Sequence, residues 1–332
     1  MRKQITFFIC SLIVFTSYSQ TIEKFSIDNG GASASAGGIE ILYTIGEVNV
    51  QELSAVSVAV SEGFINTNFS VLIAPKVFLQ GPMLNQATAG LMNDNLRTSS
   101  YIPTTSPYSD GATITASVLN TGGSSGTGLA QDDIVDWVWV ELRAANDNTK
   151  LINEKSALLQ RDGDIVALDG VSNLIMTAAP TNYYIVVKHR NHLGAMTATA
   201  NYGLTEATAT IVDFKSNGLS TYGSNARVDL GSGVMALWAG DTNTSNQIKF
   251  SGASNNTNVI KDVVLADPSN GFNSVTFSSS GYLDIDVDLN GSGKFSGSGN
   301  DSNIIKDNVL ANPGNGFHSP TYTISTTVPT KI

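Results

Sequence analysis

Alternation of apolar and polar positions with a period of two recurs along much of the chain. The clearest run is Ile134 to Arg143. There Val135, Trp137, Trp139 and Glu141 share one face, and Asp136, Val138, Val140 and Leu142 share the other. A strand apolar on both faces predicts the interior of a β-sandwich, not an edge. Thr113 to Val118 alternates too, Lys76 to Gln80 is strand-like, and Tyr183 to Lys188 reads as a second central strand. Ala157 to Gln160 leads through an Arg161-Asp162-Gly163-Asp164 turn into Ile165 to Leu168. Short strands between Gly, Asp and Asn turns predict a mainly β fold, with an antiparallel β-sandwich over residues 74–213. One short helix is expected over Ala89 to Arg97, ahead of Pro103.

Residues 21–73 read as a small N-terminal β unit, with a turn-like Ser33 to Gly38 and strands over Ile39 to Gly46 and Val56 to Ile65. Thr121 to Thr127 is a loop by composition, and the Gly/Ser/Asn-rich stretch 214–234 a linker or long loop. The N-terminus breaks the pattern. Arg2 and Lys3 precede an almost unbroken apolar run from Ile5 to Phe15, and Ser17-Tyr18-Ser19 follows. This is the three-part layout of a secretory signal over residues 1–20, and the run is too short to span a bilayer. The expected location is outside the cell or on its outer surface, with no integral membrane segment after signal removal.

Cys10, the sole cysteine, lies inside that signal, so no disulfide or thiolate metal site is expected in the mature chain. The formal charge of −10 becomes −12 once Arg2 and Lys3 are removed. An acidic balance argues against nucleic acid as a partner. Abundant Thr, Val, Gly and Asn with only 14% charged residues fits secreted β-structure.

Residues 235–332 contain a duplication. Shifted by 45 residues, Asp241 to Phe277 aligns without gaps on Asp286 to Tyr322, and 19 of the 37 positions are identical. Each copy opens with an oxygen-rich loop, Asp241/Asn243/Ser245 in the first and Asp286/Asp288/Asn290 in the second. Alternate oxygen side chains followed by Gly291 match the first half of an EF-hand calcium loop. Position 12, where an EF-hand closes its site, is Gly297. The closing acid is instead expected at Asp301, at the start of a short helix that it also caps; Asn256 is its counterpart in the first copy. The expected metal ligands are therefore Asp286, Asp288, Asn290 and Asp301, and more weakly Asp241, Asn243, Ser245 and Asn256, with calcium as the cofactor. Affinity rises with ligand charge, which favours the second copy. For the first, Asx-turns that bond their own backbone are the simpler reading.

A pair of such loops, each followed by one short helix, resembles a dockerin module. The resemblance implies calcium-ordered loop–helix units and, in some members, docking onto a partner protein. The segments Val77 to Gly81, Gly90 to Arg97, Asp136 to Arg143, Leu159 to Asp164 and Lys188 to Gly194 resemble secreted haemagglutinin-like proteins of the Bacteroidota. That implies an adhesin-like role, with extracellular glycans or a surface protein as partners.

Three functions are thus in play: a non-catalytic binding or adhesion protein, a docking component acting through the repeat, and an extracellular hydrolase. Trp137 and Trp139, on one face, are candidate ligand-binding residues or core. His189 and His192 point to opposite faces of an extended strand, which argues against joint zinc ligation. Asp136 and Glu141 also lie on opposite faces, against a glycosidase pair, and no hydrolase motif is present. The chain is not expected to be an enzyme.

Overall fold

The structure, a computed structural model, describes residues 69–122 and 128–332, together with the backbone of four strands between residues 31 and 62. The signal segment and most of the Thr121–Thr127 loop lie outside the described residues. The chain divides into two compact units, Met1–Asn68 and Phe69–Ile332. In the first, β1 (Gly31–Ala36) pairs antiparallel with β2 (Ile39–Thr44), and β3 (Gln51–Ala55) with β4 (Val58–Glu62). Ser33 to Ala36, expected to be a turn, is therefore strand; Ala36 faces Ile39 across a tight hairpin.

The second unit is mainly β. It opens with β5 (Ser70–Lys76), which the expected division at residue 73 would cut in two. Val71 and Ile73 are fully buried in the main core, and that burial assigns the strand to this unit. Two short helices follow, α1 (Gln80–Met83) and α2 (Asn95–Thr98). The helix expected from Ala89 is cut to this last turn because Gly90 adopts φ +79°, a left-handed conformation that a helix cannot continue through. Thr113 to Val118 forms one isolated bridge, Thr105 to Thr113, and then a 3₁₀ turn. Ile114 and Val118 are both buried and four apart, a spacing that one helical turn satisfies as well as a strand does.

The strands that follow are β6 (Ile134–Ala144), β7 (Leu151–Gln160), β8 (Ile165–Val166), β9 (Leu174–Thr177), β10 (Asn182–Lys188), β11 (Ala195–Met196), β12 (Tyr202–Gly203) and β13 (Thr210–Asp213). Six of them form an antiparallel sheet in the order β11-β10-β6-β7-β8, with β12 also on β10. β13-β5-β9 forms a second sheet, in which β13 is parallel to β5. Every residue of β6 is buried. Its Val138, Val140 and Leu142 share one core with Ile73 of β5, Leu174 and Met176 of β9 and Val212 of β13. This two-sheet body is consistent with the expected sandwich.

Residues 214–234 are a packed long loop. Phe214 is fully buried, and the Arg227 guanidinium donates to the carbonyls of Phe214, Ser216 and Leu219. The loop closes in a hairpin of β14 (Val228–Asp229) and β15 (Met235–Ala236).

The two copies of the repeat then form a pseudo-symmetric pair. The first contains β16 (Gln247–Lys249), α3 (Asn256–Ala266) and β17 (Ser278–Ser280); the second contains β18 (Ser292–Lys294), α4 (Asp301–Ala311) and β19 (Thr323–Ser325). β17 pairs with β18 and β16 with β19, so Ser278 faces Lys294 as Thr323 faces Lys249. A second core of Trp238, Ile248, Ile260, Val264, Ile285, Ile305, Val309 and Ile324 lies between them. Asn255 and Asn300 cap the two helices, each accepting from the backbone N–H three residues on. Asp301 is thus the first helical residue and not the cap, which leaves both its carboxylate oxygens free for the loop.

Candidate metal centre

The second loop brings Asp286, Asp288 and Asp301 together, with ligand atoms within 4.8 Å of one another. Each carboxylate is fixed by the backbone. Asp286 accepts from the N–H of Asn290 and Gly291, and Asp301 from Val287 at 2.6 Å and Lys294 at 2.8 Å. Asn290 donates its side-chain amide to Asp288 at 2.9 Å. Leu289 and Gly291 both take positive φ, which curls the chain around the cluster. The Leu289 side chain is buried in the main core, and this holds a non-glycine residue in a conformation that costs about 1–2 kcal/mol.

Three carboxylates this close repel one another. Burial, followed by the neighbouring Asp288, pushes Asp286 up to about 7. Burial, with the charges of Asp288 and Asp286, pushes Asp301 up to about 8. Asp288 is raised as well, chiefly by burial. A divalent cation would remove that repulsion and let all three ionise.

The first loop has the same backbone and a different solution. Asp241 accepts from the N–H of Ser245 and Asn246, as Asp286 does from Asn290 and Gly291. Thr244 and Asn246 take the positive φ values of Leu289 and Gly291. Asn256 accepts from Lys249 N–H at 2.7 Å, as Asp301 does from Lys294. The difference lies between the two remaining side chains. Asn256 Nδ2 donates to Asn243 Oδ1 at 3.2 Å, whereas the corresponding Asp301 and Asp288 carry acceptor oxygens only, once ionised. An amide hydrogen bond in one copy stands where the other has two facing carboxylates. Asp241, with burial as the main cause, is raised to about 6.

Sequence reasoning missed the polar hub beside these loops. At the end of β10, the backbone carbonyl of Asn191 accepts from Gly240 and Asp241 N–H, and its side-chain amide donates to the carbonyls of Asp284 and Asp286. One buried asparagine therefore holds both loops. His189 and His192 meet through Nδ1 atoms 3.1 Å apart, His189 Nε2 lies 3.1 Å from Asp136, and His192 Nε2 accepts from Gly81 N–H. One proton assignment satisfies the whole line: both rings neutral, His192 donating through Nδ1 and His189 through Nε2. Burial accordingly holds both imidazoles below their usual range. Burial alone would raise Asp136, but Arg190, with His189 and the Tyr282 hydroxyl, brings it down to about 2. Arg190 also stacks over the Tyr282 ring, 4.1 Å from its centroid. Gln80 and Asn308 exchange amide hydrogen bonds at 2.7 and 2.9 Å, tying the body to α4. Body, loop and repeat thus form one compact unit where separate domains were expected. The signal available in the sequence was the run of polar residues His189 to His192 directly after an apolar strand.

Of the two tryptophans read as either ligand-binding candidates or core, Trp137 is core: it is fully buried and donates Nε1–H to the Pro103 carbonyl. Trp139 sits beside Tyr108, ring centroids 5.4 Å apart, and donates to Glu154.

The chain matches no protein-family model, no curated protein and no solved structure. Among the described residues, no helix is long and apolar enough to cross a membrane.

Proposed function

We propose that this is a secreted, non-catalytic binding protein of the haemagglutinin-like kind, whose dockerin-like C-terminal repeat is stabilised by one calcium ion held by Asp286, Asp288 and Asp301. The observation that carries the reading is the contrast between the copies. Where the first copy places a hydrogen-bonded Asn243–Asn256 pair, the second places Asp288 and Asp301, a pair that needs either a proton or a cation between them. An all-oxygen set with three carboxylates suits calcium, and Asn290 and water would complete its shell. The first loop, closed by its own amide bond, binds no ion in this reading. The signal-like N-terminus supports export to a compartment rich in calcium.

The test is a thermal titration of the mature chain. At calcium one hundred times its Kd the stabilisation is about 2.7 kcal/mol, which for a unit of this size raises Tm by roughly 5–10 °C. In Asp301→Asn, which sets an amide donor opposite Asp288 as Asn256 stands opposite Asn243, the calcium shift disappears while the calcium-free protein melts no lower than wild type. An undiminished shift in that variant would discard the assignment.

One observation favours docking through the repeat as a second reading. Phe272 and Phe317 occupy equivalent positions in the two copies and are each 98% exposed. Each stands on a turn locked by an asparagine, Asn270 or Asn315, that bonds the carbonyls of the preceding helix and of the residue four ahead. Loss of a copurifying protein on changing both phenylalanines to serine would support this reading.

A further inference from the structure

A cavity of about 270 Å³ opens between the outer face of the six-stranded sheet and the first loop of the repeat. Its walls include Tyr108, Trp139, Glu141, Lys188, Asp241 and Lys331. We propose that this cavity binds a single neutral sugar ring, making it the ligand subsite of the body. The proposal rests on the reading of the chain as a binding protein, though not on its calcium.

The size admits one hexose-sized molecule and little more, since pockets that take drug-sized ligands run from roughly 300 to 1,000 Å³. The wall chemistry then narrows the class. Two aromatic rings, Tyr108 and the largely buried Trp139, contribute to the wall, their planes tilted by 40° with centroids 5.4 Å apart, and the indole is held in orientation by its bond to Glu154. Aromatic rings offer a flat apolar surface to the C–H face of a sugar. The rest is donors and acceptors fixed in advance. Glu141 is fully buried; one of its oxygens takes two bonds from Arg143 and the other takes Lys188 Nζ at 2.5 Å. Lys331 lies 4.0 Å from the same carboxylate and pairs with Glu154. Asp241 is anchored by the backbone of its own loop.

Each cation in the wall therefore has an anion beside it. Arg190, which also lines the cavity, is paired with Asp136. A compensated wall gives no net attraction for an anion or a cation. It suits hydroxyl groups, each of which donates to one neighbour and accepts from another. A purely apolar ligand would strip water from these paired lysines and carboxylates and return no hydrogen bond of its own.

The test uses the intact mature chain, with calcium present, against glucose, galactose, mannose, fucose, N-acetylglucosamine and N-acetylgalactosamine, with glucuronic acid as the charged control. Saturation-transfer NMR reports contact, and a change in fluorescence from Trp139, the tryptophan that lines the cavity, reports the site. At least one neutral sugar is expected to bind saturably with a Kd of millimolar order (about −4 kcal/mol). Ser109 is exposed on the rim, so Ser109→Trp plugs the cavity without touching the core and is expected to abolish binding. Lys331→Ala, at a partly exposed side chain, is expected to weaken it about fivefold. Absence of saturable binding by every neutral sugar, binding of glucuronic acid alone, or binding unchanged in the plugged variant would each overturn the proposal. The calcium-induced Tm shift, measured on the same sample, distinguishes failure of this site from failure of the cation assignment.

Discussion

The two copies of the repeat share a backbone to the level of individual left-handed residues, yet they neutralise their loops by different chemistry. In the first, Asn256 supplies a proton to Asn243; in the second, Asp288 and Asp301 have none to share once ionised. The two loops share one shape, and a difference of one atom in each of two side chains turns a self-sufficient hydrogen bond into a pair of facing carboxylates; on the proposed reading those two side chains decide which loop takes a cation.

The largest effect should come from forcing the copies to match. Asn256→Asp removes the amide donor from the first loop and adds a buried carboxylate beside Asp241. Without calcium it should destabilise the chain by about 1–3 kcal/mol, read as a lower denaturant midpoint. Asn243→Asp together with Asn256→Asp should raise the calorimetric stoichiometry from one calcium to two. A stoichiometry that stays at one would show that the backbone also discriminates.

A smaller effect should appear with pH. Asp286 and Asp301, near 7 and 8 when folded, lie well above the unfolded carboxyl value of about 4. The folded chain then holds protons that the unfolded chain has released, so without cation this loop loses stability as pH rises from about 4 to 8. Bound calcium replaces those protons. The calcium-induced Tm shift should therefore be small at pH 5 and full at pH 8. His189 and His192, held neutral, weaken the fold below about pH 6.5, but equally with and without calcium, so they cancel in the difference. An equal shift at both pH values would break the argument.

The smallest effect concerns the two exposed rings. Phe272→Ser and Phe317→Ser should each change stability by less than about 0.5 kcal/mol, because neither ring is buried. A larger loss in one copy would reveal a packing role that the other lacks.

What was legible in the sequence follows from how local the signal is. β6 was clear because its eleven residues alternate over apolar neighbours, and α4 because Ile305 and Val309 are four apart. The three carboxylates of the second loop were identified because they lie within sixteen residues of one another and recur, altered, 45 residues earlier. Asn191 was not, since it bonds carbonyls 93 and 95 residues away and no local pattern encodes that. The same holds for Gln80 and Asn308, and that is why the repeat read as a separate domain. Trp137 and Trp139 share a face in the sequence; the fold makes one of them core and places the other at a cavity.

The span of these bonds bears on how the protein assembles in time. Gln80 finds its partner 228 residues later, and the guanidinium of Arg143 reaches the Pro329 carbonyl 186 residues on. Closing loops of that length carries an entropic cost before the contacts repay it, so such chains fold slowly. While the polypeptide is being made, the side-chain amides of Gln80 and Asn191 wait without these partners, whereas Arg143 already has Glu141 and the Asn148 carbonyl close by in sequence. The contacts that complete this interior become possible only once residues 284–329 have been made.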